Sequence, residues 1–502
     1  MNKHCRIGLV AIAFLASILP LHAEQGRPKR PNIVIVLADD MGYGDLGCYG
    51  HPVIKSPNLD KFAKQAMRFT QGYSASGVCS PSRSAILTGR TPYRNGVFNW
   101  IPEGSEVHLR RSEVTLATLL RRAGYATCHV GKWHLNGMFN SPKQPQPGDH
   151  GYDWWLATQN NAGPSHKNPT NFVRNGKAVG EMKGYSSHLI VDEAIGWLSK
   201  ERDKTKPFLL SVWFHEPHLP IESDPKYQAE YPDLVKNDPE KAQHHGNITQ
   251  ADAAFGRLMQ ALADMNLAED TLVIFTSDNG PEGNGLKGRT RGSTGGLRGR
   301  KRSVYEGGIR VPFMVRWPGH VPAGKTSDQP VVGTDIFATV LEVTGLDVPK
   351  DRVIDAVSFV PALQGKQIER TRPMYFRCPI APEEFKIMMR EGDYTLLANP
   401  GLTKFELYNL KTDMKQADDL ALKEPQRFEA MKKALMKLNA EIEAEGPPWW
   451  KGKEQAPKKK EKKQDKAERW EPSAVFTAEN AEHAERWDRW VTPSAFSLPS
   501  PR

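Results

Sequence analysis

The sequence predicts an α/β fold with a large, mostly parallel sheet that has helices on both faces, plus a small C-terminal α+β domain with an antiparallel sheet. Continuous apolar runs rich in β-branched residues, such as 32–38 and 271–276, are typical of parallel strands buried on both faces. Segments with helical spacing alternate with these runs, which is the pattern of an α/β protein. After about residue 372 the pattern changes to short strands and one long helix.

The N-terminus has the pattern of a secretory signal peptide over residues 1–23. Lys3 and Arg6 give it a basic start, an apolar run follows, and Leu21-His22-Ala23 is a plausible cleavage site. No apolar run reaches the ~20 residues that a membrane-spanning helix needs. We therefore expect a periplasmic or secreted protein with no membrane span.

The remaining chain divides into three predicted parts. Residues 31–372 form the main domain, residues 373–446 the small C-terminal domain, and residues 447–502 a basic low-complexity tail that we expect to be disordered. The net charge of +10 is concentrated near the ends, because residues 451–470 hold nine Lys/Arg against four Asp/Glu. The main body is thus close to neutral, which argues against a nucleic-acid-binding protein.

Four cysteines remain once the signal peptide is removed: Cys48, Cys79, Cys128 and Cys378. They are too few for a disulfide framework. If Cys79 is reserved for catalysis, at most one disulfide forms among the other three, and the sequence does not choose the pair.

The first predicted strand, residues 32–38, ends at Asp39-Asp40. Two adjacent carboxylates at the end of a buried strand repel each other unless a cation lies between them. Metal ligation is therefore favoured over a solvated acidic turn.

A helix is predicted from Asn58 towards Phe69, and a second one begins at Cys79. Pro81 suits the first turn of this second helix, which should end at Gly89. Cys79 then lies at a helix N-terminus, which attracts anions, and Arg83 follows one turn later. A thiolate nucleophile is one interpretation of this stretch, and a buried cysteine before an ordinary helix is the other.

The middle of the chain supplies two more strand ends. A helix over 114–123 and a strand over 125–130 lead to Lys132 and His134, which would point the same way on an extended exit. Residues 135–180, rich in Gly, Pro and Asn, are predicted to form a long loop. A helix over 186–200 and a strand over 207–214 lead to His215 and His218, for which a structural and a functional role are equally supported.

The strand at 271–276 ends in Asp278 and Asn279, after a helix around 255–262. Together with Asp39 and Asp40, these residues offer four hard oxygen ligands, which suit calcium or magnesium and suit zinc poorly.

The stretch 283–302 is rich in glycine and holds seven Lys/Arg and no acidic residue: Lys287, Arg289, Arg291, Arg298, Arg300, Lys301 and Arg302. A solvated loop is one interpretation, and a surface that binds polyanions is the favoured one. The last predicted elements are a strand at 311–317, a helix at 334–345, strands at 394–398 and 405–409, and a helix at 425–444.

The polar strand ends should converge, because sites in open α/β sheets lie outside the carboxyl ends of the strands. A divalent cation, lysines, an arginine and histidines around one nucleophile suit displacement at a tetrahedral anionic ester. A thiol is a poor nucleophile beside a hard metal, so an oxygen nucleophile fits better.

Several motifs together resemble the sulfatase family, which has the alkaline-phosphatase-like fold, and are closest to its arylsulfatase A and N-acetylgalactosamine-6-sulfatase branch. The motifs are P-N-I-V-I-V-L-A-D-D-M-G-Y-G-D-L at 31–46, C-S-P-S-R-S-A-I-L-T-G-R at 79–90, G-K-W-H-L at 131–135, P-H-L-P at 217–220, S-D-N-G at 277–280 and Y-E-G-G-I-R-V-P at 305–312. The resemblance runs from about residue 30 to about residue 446.

The resemblance implies a sulfuric ester hydrolase in which a maturation enzyme, formylglycine-generating or anaerobic, oxidises Cys79 to formylglycine. One hydroxyl of the hydrated aldehyde would attack sulfur, and the other would later expel the sulfate. Calcium, with magnesium as the less favoured ion, would be bound by Asp39, Asp40, Asp278, Asn279 and the modified residue 79.

The same resemblance implies roles for the other site residues. Arg83 would hold the hydrate and His134 would assist the elimination. Lys132, Lys301 and His218 would bind the sulfate, and His218 or Lys301 would protonate the leaving oxygen. His215 is the weaker candidate of its pair. The family often has glycines beside the lysine at 301, where this chain has Arg300 and Arg302, so these two arginines are candidate substrate contacts.

The expected substrate is a sulfated carbohydrate or an aryl sulfate. Two alternatives remain open at this point. One is a phosphodiesterase or phosphonate monoester hydrolase that shares the cysteine signature, and the other is a sulfated-glycan-binding protein whose residue 79 is never modified.

Overall fold

A ten-stranded sheet forms the centre of the protein in a computed structural model that describes residues 30–283 and 292–446. The predicted signal peptide, the tail, and Lys287, Arg289 and Arg291 lie outside the described residues.

The strands, in chain order, are β1 Asn32–Ala38, β2 Met67–Phe69, β3 Gly72–Tyr73, β4 Ala126–Lys132, β5 Trp154–Thr158, β6 Val173–Arg174, β7 Lys177–Ala178, β8 Phe208–Trp213, β9 Thr271–Ser277, β10 Phe313–Arg316, β11 Thr326–Ser327, β12 Val331–Val332, β13 Met374–Arg377, β14 Ile387–Glu391, β15 Tyr394–Ala398 and β16 Phe405–Asn409. The α-helices are α1 Pro57–Gln65, α2 Cys79–Thr88, α3 Pro92–Asn95, α4 Leu116–Arg122, α5 Ser186–Gly196, α6 Pro225–Gln228, α7 Pro232–Asn237, α8 Pro239–Asp264, α9 Glu306–Ile309, α10 Asp335–Thr344, α11 Val360–Leu363 and α12 Pro425–Glu445.

The main sheet has the strand order β11-β2-β10-β9-β1-β8-β4-β5-β6-β7. Its centre, from β9 to β5, is parallel, whereas β10 runs antiparallel to β9 and to β2. The predicted fold class is confirmed, with an antiparallel pairing at either side of the parallel centre. Because β9, β1, β8 and β4 are parallel neighbours, their carboxyl ends lie at the same edge.

Alternate residues of β1 enter two different cores, as the period of a strand requires. Ile33, Ile35 and Leu37 pack with residues from α2, α4 and α10 on one face. Val34 and Val36 pack with residues from α1, α5 and α8 on the other. A strand buried on both faces by helices explains why the sequence of β1 is continuously apolar.

The small C-terminal sheet has the antiparallel order β13-β14-β15-β16. One of its faces packs against residues next to the Cys79 helix, including Tyr73 and Val78. Its other face is covered by α12. Charged side chains add to this packing, because the buried Arg94 pairs with Glu441 and Glu445 of α12.

Two predictions of local structure were wrong. Residues 135–180 contain β5, β6 and β7, of which β5 joins the main sheet beside β4. The helix predicted towards Phe69 ends at Gln65, and residues 67–69 form β2.

The four cysteines of the described residues form no disulfide with one another: Cys48, Cys79, Cys128 and Cys378. Within 30–283 and 292–446, every helix is too short or too polar to cross a membrane.

Candidate active site

Polar residues from four parallel strands meet at one edge of the main sheet. Asp39 and Asp40 follow β1, Lys132 ends β4, His215 and His218 follow β8, and Asp278 and Asn279 follow β9. Cys79 begins α2 beside them, and Lys301 reaches the same place from the segment after residue 292. The structure therefore brings together the residues that the sequence singled out at separate strand ends.

The first cluster pairs two carboxylates with two buried cations. Lys132 Nζ lies 2.6 Å from Asp39 Oδ2, and Arg83 Nη2 lies 2.7 Å from Asp278 Oδ2. Arg83 also donates to the carbonyl oxygen of Lys132 at 2.9 Å. Burial alone would raise the pKa of Asp39, but Lys132, His218 and Arg83 together hold that pKa well below its usual range. Asp39 is therefore ionised despite complete burial.

The second cluster is centred on Asp40, whose backbone is in the left-handed region at φ 64°. Lys301 Nζ donates to Asp40 Oδ2 at 2.8 Å, and Asn279 Nδ2 donates to Asp40 Oδ1 at 2.7 Å. His218 Nε2 lies 3.8 Å from Asp40 Oδ2. An ordinary side chain in the left-handed region is strained, so these contacts hold a conformation that the local sequence does not favour.

The donor set fits a hard divalent cation. Ligand atoms of Asp39, Cys79 and Asp278 lie within 4.8 Å of one another, and so do those of Asp39, Asp40 and His218. Asp39 Oδ1 and Asn279 Oδ1 are buried and have no hydrogen-bond partner among the described residues. Burial together with the charge of Asp39 raises the pKa of Asp278 to about 7. A bound cation would contact the unpaired oxygens and offset the repulsion between the neighbouring carboxylates. Oxygen ligands of this kind suit calcium or magnesium.

Cys79 is the first residue of α2, and its side chain is buried. The apolar side chain of Val78, the residue before the helix, cannot cap α2, so within the described residues no N-cap side chain accepts from its first N–H groups. Burial raises the pKa of the Cys79 thiol, although Lys132 and Lys301 oppose the rise. The neighbouring cations thus fail to make this thiol a thiolate at neutral pH.

His134 does not leave β4 in an extended conformation, since its φ is 55°. Its Nε2 faces the carbonyl oxygen of Ile101 at 3.0 Å, so Nε2 carries the hydrogen. Burial, Lys132 and Arg83 lower the pKa of His134 well below the usual value. A neutral ring protonated on Nε2 leaves Nδ1 as a proton acceptor, and within the described part of the chain Nδ1 has no hydrogen-bond partner.

The two histidines after β8 have different surroundings. His218 Nδ1 donates to the carbonyl oxygen of Leu219, and burial together with Lys301 and Lys132 lowers its pKa to about 4. His215 is bound through Nε2 to Thr158 Oγ1 at 2.8 Å and packs against Phe172. Of the pair, His218 approaches Asp40, whereas His215 contacts Thr158 and Phe172.

The two arginines on either side of Lys301 are held by other groups of the same chain. Arg300 donates to the backbone oxygens of Glu282 and Gly292, and Arg302 pairs with the carboxylate of Glu282. Glu282 also contacts Lys301 Nζ at 3.1 Å. The backbone N–H of Arg302 donates to the oxygen of Gly77 at 2.6 Å, which ties this segment to the residues just before Cys79.

Three further groups in the site were not identified from the sequence: Glu282, the Ile101 carbonyl and Gln159. Gln159 Nε2 donates to the same Ile101 oxygen at 3.1 Å and to the oxygen of Asn136 at 2.8 Å. Glu282 follows S-D-N-G-P closely in sequence, which could have indicated it. The Ile101 carbonyl and Gln159 lie in loops with no distinctive pattern.

Comparisons with known proteins agree with this geometry. Residues 31–346 match the profile of the sulfatase family, and residues 299–444 match the profile described as N-sulphoglucosamine sulphohydrolase, C-terminal. The chain is 34% identical over 375 residues to N-acetylgalactosamine-6-sulfatase of Canis lupus familiaris, covering 70% of this chain and 69% of the relative. It is 33% identical over 405 residues to arylsulfatase A of Homo sapiens, covering 75% and 76%.

A solved structure described as Ps i-CgsB superposes with a TM-score of 0.73 at 26% identity, over 84% of this chain and 94% of that chain. The same protein has been solved in complex with k-i-k-neocarrahexaose. The family profile covers every strand of the main sheet together with Asp39, Asp40, Asp278 and Asn279, and these two relatives match over more than two thirds of their length. This chain therefore belongs to the sulfatase family of sulfuric ester hydrolases.

Proposed function

We propose that the protein removes sulfate from a sulfated saccharide, using residue 79 after its oxidation to formylglycine and a bound divalent cation, with calcium favoured over magnesium. The observation that carries this proposal is the position of Cys79. It lies among ionised or crowded carboxylates and buried cations, with its ligand atom within 4.8 Å of those of Asp39 and Asp278.

Cys79 itself is unsuited to act as a thiol. Its pKa is raised by burial, so the thiol is not ionised at neutral pH. The carboxylates around it are hard oxygen ligands that favour a hard cation, whereas a thiolate is a soft ligand that favours metals such as zinc. Oxidation to formylglycine would replace sulfur by the oxygens of a hydrated aldehyde, which suit both a hard cation and attack at sulfur. Asp39, Asp40, Asp278 and Asn279 would hold the cation, and the cation would neutralise negative charge on the sulfate oxygens.

The surrounding side chains suit the remaining tasks. The neutral His134 can take a proton through Nδ1, and Arg83 stays charged beside Asp278. Lys132 and Lys301 would bind the sulfate oxygens. Of Lys301 and His218, Lys301 carries the proton at neutral pH, because acidic neighbours raise its pKa against the effect of burial. We therefore assign leaving-group protonation to Lys301 and sulfate binding to His218.

The saccharide part of the proposal is supported by the relatives. One curated relative is named for a sulfated N-acetylgalactosamine, and a structural neighbour at 26% identity has been solved with a neocarrahexaose. Other groups of the chain already bind three arginines of the basic stretch, Arg298, Arg300 and Arg302. Binding of a polyanion is therefore assigned to the three remaining basic residues, Lys287, Arg289 and Arg291. We further propose that the protein is secreted or periplasmic and that a maturation enzyme oxidises residue 79. The proposed catalytic domain covers residues 31–372, and the small domain covers residues 373–446.

A phosphonate monoester hydrolase of Agrobacterium radiobacter shares the fold with a TM-score of 0.56 at 21% identity, which says nothing about activity. The deciding experiment compares kcat/KM of the matured enzyme for nitrophenyl sulfate, a nitrophenyl phosphodiester and a phenylphosphonate ester. We expect the sulfate ester to be preferred. Preference for either phosphorus ester, or absence of all turnover with residue 79 fully oxidised, would overturn the proposal.

A further inference from the structure

The loop before Ile101 is attached directly to the catalytic centre. The backbone N–H of Ile101 donates to Ser80 Oγ at 3.1 Å, and Ser80 follows Cys79 in the chain. The carbonyl oxygen of Ile101 accepts from His134 Nε2 and Gln159 Nε2. Three hydrogen bonds thus fix one residue of this loop between the first turn of α2 and the ends of β4 and β5.

Trp100 is the neighbour of this fixed residue, so its Cα lies about 3.8 Å from that of Ile101. Ile101 is completely buried in the core, whereas the side chain of its neighbour Trp100 is 43% exposed to solvent. Across the described ranges 30–283 and 292–446, Trp100 is the most exposed Trp, Tyr or Phe. Trp is enriched at binding surfaces, because its ring offers a large apolar face to a partner while part of it stays in water.

We propose that Trp100 is a specificity-determining residue that stacks on a pyranose ring of the substrate, next to the sulfate pocket. This inference rests on the proposed function and adds to it the contact that recognises the sugar. The apolar C–H face of a pyranose matches an indole ring, while the hydroxyl groups around it remain in water. The hydrogen bonds that fix Ile101 next to Trp100 suit this role, because a ring on a restrained backbone loses less entropy on binding.

The test compares wild-type enzyme with Trp100→Ala and Trp100→Phe, using N-acetylgalactosamine 6-sulfate as substrate and its desulfated product and inorganic sulfate as inhibitors. We expect Trp100→Ala to raise KM and the inhibition constant of the desulfated sugar by about tenfold, with a much smaller change in kcat. Trp100→Phe should restore most of the loss, because it retains an aromatic face. The inhibition constant of inorganic sulfate, which reports only on the sulfate pocket, should not move.

Leu422→Ala is a matched control, since Leu422 is an exposed apolar side chain in the C-terminal region, and it should change none of these constants. Unchanged KM and unchanged product inhibition in Trp100→Ala would overturn the inference. An equal rise in the inhibition constant of inorganic sulfate would also overturn it, because it would mean that Trp100 has a structural role. Turnover of nitrophenyl sulfate by the wild-type enzyme checks the proposed function separately, so the two ideas can fail independently.

Discussion

Lys132 Nζ lies 2.6 Å from Asp39 Oδ2, and both side chains are completely buried. The cation assigned to the substrate sulfate is thus paired with a carboxylate assigned to the metal. Lys301 and Asp40 repeat the arrangement at 2.8 Å. Each pair compensates a charge that would be very costly to leave alone in the interior.

Lys132→Met should therefore remove activity and also destabilise the fold, by about 3–5 kcal/mol, because Asp39 loses its nearest cation. A calcium ion bound at Asp39 would compensate the same charge. We expect the loss in Tm to be larger in chelator than in saturating calcium, as measured by thermal unfolding under both conditions. An equal loss in both would mean that the ion does not bind at Asp39.

Cys79→Ala should lower kcat by on the order of 10³-fold or more while the protein remains folded, because the alanine cannot be oxidised to a nucleophile. Mass spectrometry of the peptide that contains residue 79 should show the aldehyde in the wild-type protein. Cys48→Ala, at a half-buried thiol away from the site, serves as the control and should keep activity. Substantial sulfatase activity in Cys79→Ala would refute the assignment.

Asp278→Ala and Asp39→Ala should each lose calcium and activity together, with affinity reduced by at least about 100-fold. Isothermal titration with calcium measures this loss. Asp252→Asn is the matched control, because Asp252 is a buried carboxylate that binds the backbone of Asn58 and Leu59 away from the site. Stoichiometric zinc bound at Asp39 and Asp278 in active enzyme would contradict the oxygen-ligand argument.

Gln159→Leu should lower kcat by about tenfold with little change in KM, because Gln159 steadies the carbonyl of Ile101 that orients His134. A shifted pH–kcat profile would mark this as an effect on His134. If Gln159→Leu lowered stability and left kcat and its pH profile unchanged, Gln159 would be a structural residue only.

Acid should destabilise the protein through His150, whose pKa burial lowers to about 4. The unfolded chain takes up this proton near pH 6.5 and the folded chain does not, so stability is complete above pH 6.5 and falls as pH drops towards 4. The contribution is on the order of 3 kcal/mol. His150→Phe should flatten this part of the curve of unfolding free energy against pH, whereas His320→Phe, at an exposed site, should leave it unchanged.

The sequence predicted the strand ends well because each of them is a local pattern, an apolar run followed by charged residues. Parallel pairing then brought Asp39, Lys132, His218 and Asp278 together without further information. β5 was missed because Trp154–Thr158 is short and lies among residues rich in glycine and proline. Its strand character depends on pairing with β4, which is a tertiary interaction.

Side-chain partners were the least predictable feature. Arg300 and Arg302 flank Lys301 in a basic stretch, yet Arg300 donates to the backbone of Gly292 and Arg302 pairs with the carboxylate of Glu282. His134 was expected on an extended exit, but its backbone is left-handed and its ring donates to the carbonyl oxygen of Ile101, 33 residues away in sequence. Patterns of neighbouring residues cannot supply such contacts.

The burial of Cys79 also sets an order of events during synthesis. The groups that enclose it come from β9, from Lys301 and from the sheet that packs behind Val78, all of which leave the ribosome long after residue 79. At typical elongation rates the roughly 200 residues between Cys79 and Asp278 take about 10–40 s to make. A modifying enzyme that needs access to this thiol has that interval, before the later strands close the site and make the same residue unreachable.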